Sequence, residues 1–258
     1  MKIAIGIFGF IRENIYDNEW LSFFKLFADA SAADAADTDI KIDVYIRTPD
    51  ILHEFEKDMV DFEYIRTTLL KNPMIENVFI RDYKYEPQIF INQANDLNLA
   101  RKTADNLYPY RIISLFSAIS KISNFIREAD IEYDFVVLTR FDMLKLVYSI
   151  GAVADYELYK DKSAIFGYRQ DTSQIEDRLI ITGEVGLEKL ANLYDTYHKI
   201  ENIATAQFVS EYILRSYLLQ YANELNIYYN SKIILGLGNT HHKYTSEVET
   251  KINEIYLG

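Results

Sequence analysis

The stretch Tyr133-Asp134-Phe135-Val136-Val137-Leu138-Thr139-Arg140-Phe141-Asp142 decides the fold that we predict for this chain. It is continuously apolar from Phe135 to Leu138, which is typical of a central strand that helices cover on both faces. In open α/β sheets, ligands bind beyond the carboxyl ends of the strands. A strand over residues 135–139 therefore predicts that Arg140 and Asp142 lie at the ligand-binding edge of a sheet.

Strands and helices alternate on the N-terminal side of this stretch. Apolar, β-branched runs predict the strands, and apolar residues at spacings of three and four predict the helices. Such alternation is typical of a mainly parallel sheet, so we predict an α/β three-layer sandwich. The predicted strands are 2–8, 42–46, 77–81 and 135–139, and the predicted helices are 18–28, 51–70 and 111–128.

The rest of the chain contains shorter elements. Residues 83–107 show no clear periodicity, and the Ala/Asp-rich residues 31–38 are predicted to form a solvated loop. No Pro/Gly/Ser-rich linker divides the chain, so we predict one domain over residues 1–258. The later predicted strands are 163–166, 179–182, 227–229 and 232–235, and the later predicted helices are 184–199 and 204–222.

Composition excludes several classes of function. The net charge is −12, and no basic cluster is long enough to neutralise a nucleic-acid backbone, so we expect no nucleic-acid partner. The chain has no cysteine, which excludes disulfides, thiolate metal ligands and cysteine nucleophiles. No stretch approaches the roughly 20 apolar residues of a transmembrane helix, and no signal-peptide pattern opens the sequence. We therefore expect a cytoplasmic protein whose membrane association, if any, is peripheral.

Polar or flexible residues stand at four predicted strand ends. A carboxylate at such an end, as at Asp142, can bind Mn²⁺ or Mg²⁺, which prefer oxygen ligands and bridge phosphates. Arg140 can bind a phosphate or orient that carboxylate. The residues leave open an alternative, in which Arg140 and Asp142 form a structural ion pair that closes the strand. The four ends are Gly9–Arg12, Arg47–Asp50, Arg140–Asp142 and Asn239–His242.

The stretch from Tyr133 to Asp142 resembles the strand-end acidic motif, Asp-X-Asp, of glycosyltransferases with the GT-A fold. It is similar in particular to a group of bacterial and viral glycosyltransferase-like proteins with the motif Tyr-Asp-aromatic-Val-Ile-Arg-X-Arg-Pro-Asp. Tyr133, Asp134, Phe135, Val136, Arg140 and Asp142 match this motif, whereas Leu138 and Phe141 depart from it. Arg140 also stands where Asp-X-Asp has its first aspartate. Segments 8–12, 42–50, 115–119 and 175–183 resemble further motifs of that group in the same order, over roughly residues 1–200.

The resemblance implies a GT-A-like sandwich that transfers a hexose or pentose from a UDP- or GDP-linked donor to a carbohydrate or other hydroxyl acceptor, with Mn²⁺ or Mg²⁺. It also implies a role for each matching residue. Phe8, Gly9 and Arg12 would contact the nucleotide, with Arg12 at the diphosphate; Asp50 would lie near the base or ribose, and Arg140 near a phosphate. Asp142 would hold the metal, with His241 or His242 as a further ligand, and Asp177, or Glu176 next to it, would be the base at the acceptor.

Each of these residues also has a structural interpretation. Gly9 could form a turn without any contact to a ligand, and Arg12 and the histidines could be solvated at the surface. Asp50 could cap a helix, and Asp177 could form an ion pair. Two other functions stay open: a sugar nucleotidyltransferase, although residues 8–12 lack its Gly-rich loop, and a non-catalytic protein that binds a nucleotide or a sugar.

Overall fold

The computed structural model describes residues 1–11, 16, 18–33, 39–51, 59–97, 109–150, 153–167, 177–200, 210–229 and 233–235. Two sheets and eight α-helices occur within these residues. The strands are β1 (Lys2–Phe8), β2 (Lys41–Pro49), β3 (Ile75–Tyr83), β4 (Phe135–Arg140), β5 (Val147–Ile150), β6 (Ala164–Gly167), β7 (Leu179–Thr182), β8 (Asn226–Tyr229) and β9 (Ile233–Leu235). The helices are α1 (Ser22–Ala33), α2 (Phe62–Leu69), α3 (Pro87–Asp96), α4 (Pro109–Arg127), α5 (Val153–Tyr159), α6 (Glu184–Ala191), α7 (Leu193–Thr196) and α8 (Ser210–Leu219).

The main sheet has seven strands in the order β3, β2, β1, β4, β7, β6, β8. The four strands β3, β2, β1 and β4 are parallel, and β7 is antiparallel to both β4 and β6. Strand β1 lies between β2 and β4, and its last residue, Phe8, is in register with Arg47 on one side and Arg140 on the other. Strands β5 and β9 form a separate antiparallel pair.

Apolar cores cover both faces of this sheet. One core joins α1, α2 and α5 to the sheet face that carries Ile3, Ile5 and Ile7. The other joins α3, α4, α6, α7 and α8 to the opposite face, which carries Ala4 and Phe8. Strand β1 is apolar on both sides because it is buried from both sides. The predicted α/β three-layer sandwich with a mainly parallel central sheet is therefore confirmed.

Some predicted elements have different limits in the structure. The helix predicted over residues 51–70 is wrong at its start: Ile51 forms an isolated antiparallel bridge with Met59, and α2 begins only at Phe62. The side chain of Asp61 accepts a hydrogen bond from Tyr64 N at 2.9 Å and so provides the N-cap that fixes this start. The loop predicted over 31–38 is wrong at its first residues, because α1 continues to Ala33.

Other elements were divided or missed. The helix predicted over 184–199 is divided at Asn192 into α6, α7 and a 3₁₀ helix over Tyr197–Lys199. Helix α3 lies within the stretch that shows no periodicity, and Phe90 and Ala94 are its two buried residues. The pattern also does not predict β5 or α5. The sequence from Ser246 also predicts a short amphipathic helix, and this stretch lies outside the described residues.

A buried polar network ties the amino-terminal ends of β1, β2, β3 and β4 together. The carboxylate of Asp43 has no exposure and accepts hydrogen bonds from Tyr133 Oη at 2.9 Å and Asn77 Nδ2 at 2.8 Å. Lys2 Nζ lies 3.2 Å from the same carboxylate. Tyr45 Oη lies 2.7 Å from Tyr133 Oη, and because the single hydroxyl hydrogen of Tyr133 goes to Asp43, Tyr45 is the donor.

Asp134 completes this end of the sheet through the main chain. Its carboxylate accepts a hydrogen bond from Lys2 N at 2.7 Å, and its own N–H donates to Lys2 O at 2.8 Å. Burial, followed by the hydrogen bonds with Tyr45 and Asp43, raises the pKa of Tyr133, so the phenol stays a donor. The Tyr-Asp part of the sequence motif is therefore structural and lies at the edge opposite to the carboxyl ends of the strands.

We predict that Tyr133→Phe lowers the free energy of unfolding by about 2 kcal/mol, because a buried acceptor on Asp43 loses its donor. Urea denaturation would measure this change. Tyr64→Phe is the matched control, since Tyr64 Oη donates to Asn18 in an exposed hydrogen bond, and its loss should cost about 0.5 kcal/mol or less. Equal losses in the two variants would contradict a stabilising role for the network.

Candidate functional site

The carboxyl ends of β1 and β4 form the point where the strand order reverses. From β1 the chain continues to β2 and then β3 on one side, whereas β4 pairs on the other side of β1. Ligands in open α/β sheets bind in the crevice beyond the carboxyl ends at such a switch point. Phe8 and Arg140 are in register there, so the segments that begin at Gly9 and at Phe141 leave the sheet side by side.

Gly9 makes the turn that follows β1. Its φ of +86° lies in the left-handed region, which favours glycine because a Cβ strains that conformation. A Cβ placed at Gly9 would meet no heavy atom within 4 Å, so the space above this turn is open. The turn interpretation of Gly9 is therefore correct, and the open space also leaves room for a ligand against the main chain.

Arg140 and Asp142 form a two-point ion pair across the end of β4. Arg140 Nε donates to Asp142 Oδ1 at 3.0 Å, and Arg140 Nη2 donates to Asp142 Oδ2 at 2.6 Å. The Asp142 side chain is 12% exposed and that of Arg140 is 30% exposed, so solvent screens the pair only in part. The ion pair that the residues left open is thus present, and both carboxylate oxygens of Asp142 accept from Arg140.

These contacts bear on the cation that the resemblance implies. No group of three histidine or carboxylate side chains that could hold a metal ion occurs among the described residues. Mg²⁺ is often held by one or two carboxylates together with substrate phosphates and waters, and both oxygens of Asp142 accept hydrogen bonds from Arg140. A cation at Asp142 would therefore share this carboxylate with Arg140, and Asp142 as a metal ligand stays a prediction.

The antiparallel pairing of β7 brings Asp177 to this end of β4. Leu179 is in register with Thr139, and Thr139 Oγ1 donates to Arg178 O at 2.9 Å, which holds the segment before β7 against β4. Asp177 is 4% exposed, so little of its surface is open to an acceptor hydroxyl. Its role as the base stays a prediction.

Two further residues of the predicted site lie at the same edge. Phe8 is 1% exposed and packs in the core below α4, so a nucleotide could contact it only through the main chain. Asp50 follows β2; its N–H donates to Tyr83 O at 3.0 Å, and its O accepts from Val60 N at 3.1 Å. The N-cap in this region is Asp61.

Four predicted site residues lie outside the described residues, namely Arg12, Glu176, His241 and His242. Phe8, Gly9, Arg140, Asp142, Asp50 and Asp177 are brought to one edge of the sheet. Their predicted contacts with a donor, an acceptor or a metal stay predictions.

Two cations near this edge were not predicted to have a function. Arg47 is a half-buried residue near the carboxyl end of β2, and Lys121 lies on α4, 74 positions further along the chain. Both lie against the ring of Tyr83, with Arg47 Cζ at 5.1 Å and Lys121 Nζ at 5.9 Å from its centroid. A signal was available in Arg47 itself, a charged residue near the carboxyl end of a largely buried strand.

A cavity of about 300 Å³ lies elsewhere, at the opposite edge of the sheet. Three of the charged groups that line it pair with each other, because Lys162 Nζ contacts Glu132 at 3.0 Å and Glu184 at 3.2 Å. Because ligands bind at the carboxyl ends of the strands in this architecture, we place the candidate site at β1 and β4 and not in this cavity. The cavity is lined by Glu132, Tyr133, Asp134, Lys160, Lys162 and Glu184.

No protein-family model matches the chain, and no curated protein matches it. Among solved structures, the chain is similar to mouse xyloside xylosyltransferase 1 in its apo form, with 6% identity, a TM-score of 0.45, and coverage of 89% of this chain and 85% of that chain. It is also similar to a candidate nucleotide-diphospho-sugar transferase from Desulfovibrio desulfuricans G20, with 8% identity, a TM-score of 0.39, and coverage of 99% and 96%. Similarity at these TM-scores carries no conclusion about activity.

Within the described residues, no helix is both long enough and apolar enough to cross a membrane.

We predict that Asp142→Asn lowers the free energy of unfolding by about 2 kcal/mol, because the partly buried guanidinium of Arg140 loses a charged acceptor. Urea denaturation would measure the loss. Glu128→Gln is the matched control: it breaks the more exposed ion pair with Arg81 and should cost less than about 1 kcal/mol. An Asp142→Asn protein as stable as the wild type would contradict a structural role for the ion pair.

Proposed function

We propose that this protein is a glycosyltransferase, which moves a sugar from a UDP- or GDP-linked donor to the hydroxyl group of a carbohydrate or other acceptor. The observation that carries the proposal is the open left-handed turn at Gly9 beside Arg140, at the switch point of the sheet. A main chain without a side chain permits close approach of a diphosphate, and a guanidinium forms charge-assisted hydrogen bonds with it. The order of the motifs along the sequence supports sugar transfer as the reaction.

The reaction breaks the bond between the anomeric carbon and a diphosphate oxygen, and it forms a bond from that carbon to the acceptor oxygen. Negative charge grows on the leaving diphosphate, so cationic groups placed there stabilise the transition state. In this proposal Arg140 and Arg12 interact with the diphosphate. An incoming diphosphate would compete with Asp142 for Arg140, since both are anionic acceptors for one guanidinium.

The acceptor hydroxyl must lose its proton as it attacks, and an inverting reaction assigns that proton to a carboxylate. We propose Asp177 for this role, with Glu176 as the neighbouring alternative. Asp177 needs a rearrangement of the segment before β7 to act directly, because it is 4% exposed. A retaining reaction does not need this base.

One observation favours a second candidate, a protein that binds a nucleotide sugar without turning it over. The two carboxylates proposed for the chemistry are engaged or covered, because Asp142 pairs with Arg140 and Asp177 is buried. Binding to the guanidinium would survive under this alternative, whereas transfer and hydrolysis would not occur.

The first test measures nucleotide binding. We expect UDP or GDP to raise the melting temperature, because a ligand that binds only the folded state stabilises it. Arg12→Ala should weaken nucleotide binding about ten-fold, as expected for the loss of one charge-assisted contact, while the melting temperature without nucleotide stays nearly unchanged. Arg127→Ala, which removes an exposed arginine at the end of α4, is the control. Equal dissociation constants for the two variants would count against Arg12 at the diphosphate.

The second test separates catalysis from binding and examines the metal. Release of UDP or GDP from a nucleotide sugar is measured with and without acceptor, first with Mn²⁺ and then with EDTA. If Asp142 holds a cation, EDTA and Asp142→Asn should each remove most of the turnover, because the amide lacks the charge that anchors a hard cation. Turnover that persists in EDTA would refute the metal role of Asp142. Binding without any turnover would favour the second candidate.

A further inference from the structure

Basic side chains form a row across the sheet close to its carboxyl edge. Arg81 on β3 is in register with Arg47 on β2, Arg47 with Phe8 on β1, and Phe8 with Arg140 on β4. Residues in register on neighbouring strands point to the same face of a sheet, and Phe8 belongs to the core on the α4 face. The three arginines therefore project toward the α4 side.

Two of the three arginines have a carboxylate partner and the third does not. Arg140 pairs with Asp142, and Arg81 pairs with Glu128 while stacking on Phe125 at 4.0 Å. Arg47 forms no ion pair and no side-chain hydrogen bond with any residue in the described part of the chain, and its Nε is a buried donor without an acceptor.

A second unpaired cation stands next to Arg47. Lys121 reaches the same Tyr83 ring from α4, and its ammonium also forms no ion pair or hydrogen bond within the described ranges. Two positive charges are thus held together, partly removed from water, and the nearby carboxylate of Glu128 is already paired with Arg81. The desolvated donor and the repulsion between two like charges both destabilise the protein without a ligand. A bound anion would accept a hydrogen bond from the donor and neutralise the repulsion.

Aromatic residues border the end of β2 near Arg47. Phe10, which follows β1, contacts Tyr85, which follows β3, edge to face at 4.9 Å, and β2 lies between these two strands. Burial is the main cause that lowers the pKa of Arg47 and of Lys121, and repulsion from Arg47 lowers the pKa of Lys121 further. At Arg47, repulsion from Arg81 also lowers the pKa, whereas Tyr83 and Glu128 act in the opposite direction.

We propose that Arg47 and Lys121 form a binding site for a single oxyanion, a phosphate or carboxylate group, beside Tyr83 between α4 and the ends of β2 and β3. Arginine donates in a planar fork that matches two oxygens of such a group, and lysine adds a compact charge from a second direction. The buried Nε of Arg47 would gain the acceptor that the described residues do not give it.

This site is separate from the crevice at Gly9 and Arg140 but near it. Arg47 and Arg140 lie on strands on either side of β1, about 10 Å apart at the usual spacing of strands. The oxyanion could therefore be part of a nucleotide that also reaches the crevice, or it could belong to a second, acidic ligand. Its existence does not depend on sugar transfer, because binding of a simple anion tests it directly.

The experiment measures the affinity for inorganic phosphate by thermal shift and by ³¹P line broadening, with chloride used to keep the ionic strength constant. We expect Lys121→Gln and Arg47→Gln each to weaken phosphate binding about ten-fold, the loss of one charge-assisted contact. Although the ammonium of Lys121 is partly desolvated near Tyr83, the residue as a whole is exposed on α4, and glutamine is a good helix former. Lys121→Gln should therefore fold even if Arg47→Gln does not. The controls are Lys25→Gln and Lys71→Gln, each of which changes the net charge as much as one site variant but at an exposed lysine on a different element, α1 for Lys25 and the turn after α2 for Lys71.

A second readout separates an anion site from simple stacking on Tyr83. Without phosphate, Lys121→Gln should leave the melting temperature unchanged or raise it, because one of two unpaired charges is removed. If both cations only stabilise the fold by stacking on the ring, Lys121→Gln should lower the melting temperature by the same amount with and without phosphate. That result would overturn the proposal. Phosphate binding that the charge-matched controls weaken as much as the site variants would also overturn it.

A competition experiment between nucleotide and phosphate identifies the ligand to which the oxyanion belongs. If UDP or GDP displaces phosphate from the wild type and Lys121→Gln weakens the nucleotide as well, the site binds a phosphate of the nucleotide. If phosphate and nucleotide bind together, the site belongs to another acidic ligand. Both results support an oxyanion site. If the wild type binds neither phosphate nor acetate, which is used as the carboxylate probe, the proposal of this site is overturned even if a nucleotide binds in the crevice.

Discussion

The parallel pairing of β1 between β2 and β4 is the constraint on which the other features depend. It requires β1 to be apolar on both faces, and side chains of β4 and α4 pack so closely on it that a Cβ at Gly6 would lie 2.7 Å from Leu138 and 3.0 Å from Ile122. Only glycine fits at this point without displacing a neighbour. The same register sets Arg47 and Arg140 on either side of Phe8, so the packing of an apolar strand decides where the charged groups of its neighbours meet.

The motif from Tyr133 to Asp142 runs the length of β4 and reaches both edges of the sheet, but its two ends differ in their interactions. Tyr133 and Asp134, at the start of the motif, hold β4 to the other strands through Asp43 and Lys2. Arg140 and Asp142, at its end, lie at the switch point where a ligand can approach. A match over such a motif therefore combines structural and functional signals, because β4 connects the two edges.

The sequence predicts those parts of the fold that have a strong pattern of their own. The predicted limits of β1 and β7 equal those of the structure, and α4 differs from its prediction by a residue or two. Helix α3 has only Phe90 and Ala94 buried, so it lacks the apolar stripe that would identify it. For the candidate site, the sequence predicts only that its residues lie at the carboxyl edge of the sheet. Arg47 and Lys121 meet at the ring of Tyr83 although they are distant in the sequence, and no local pattern predicts this arrangement.

Net charge is a poor guide to what binds at this edge. A protein with a charge of −12 repels anions at long range, but at physiological ionic strength this repulsion is screened beyond about 8 Å. Over shorter distances the nearby charges determine how strongly an anion is attracted. Asp142 neutralises Arg140, and Glu128 neutralises Arg81. Arg47 and Lys121 have no such partner within the described residues, and their positive charges add. An anion that reaches β2 thus meets two unopposed cations, whereas one that reaches β4 must first displace a carboxylate. Affinity for anions should therefore be greater on the β2 side of β1 than on the β4 side.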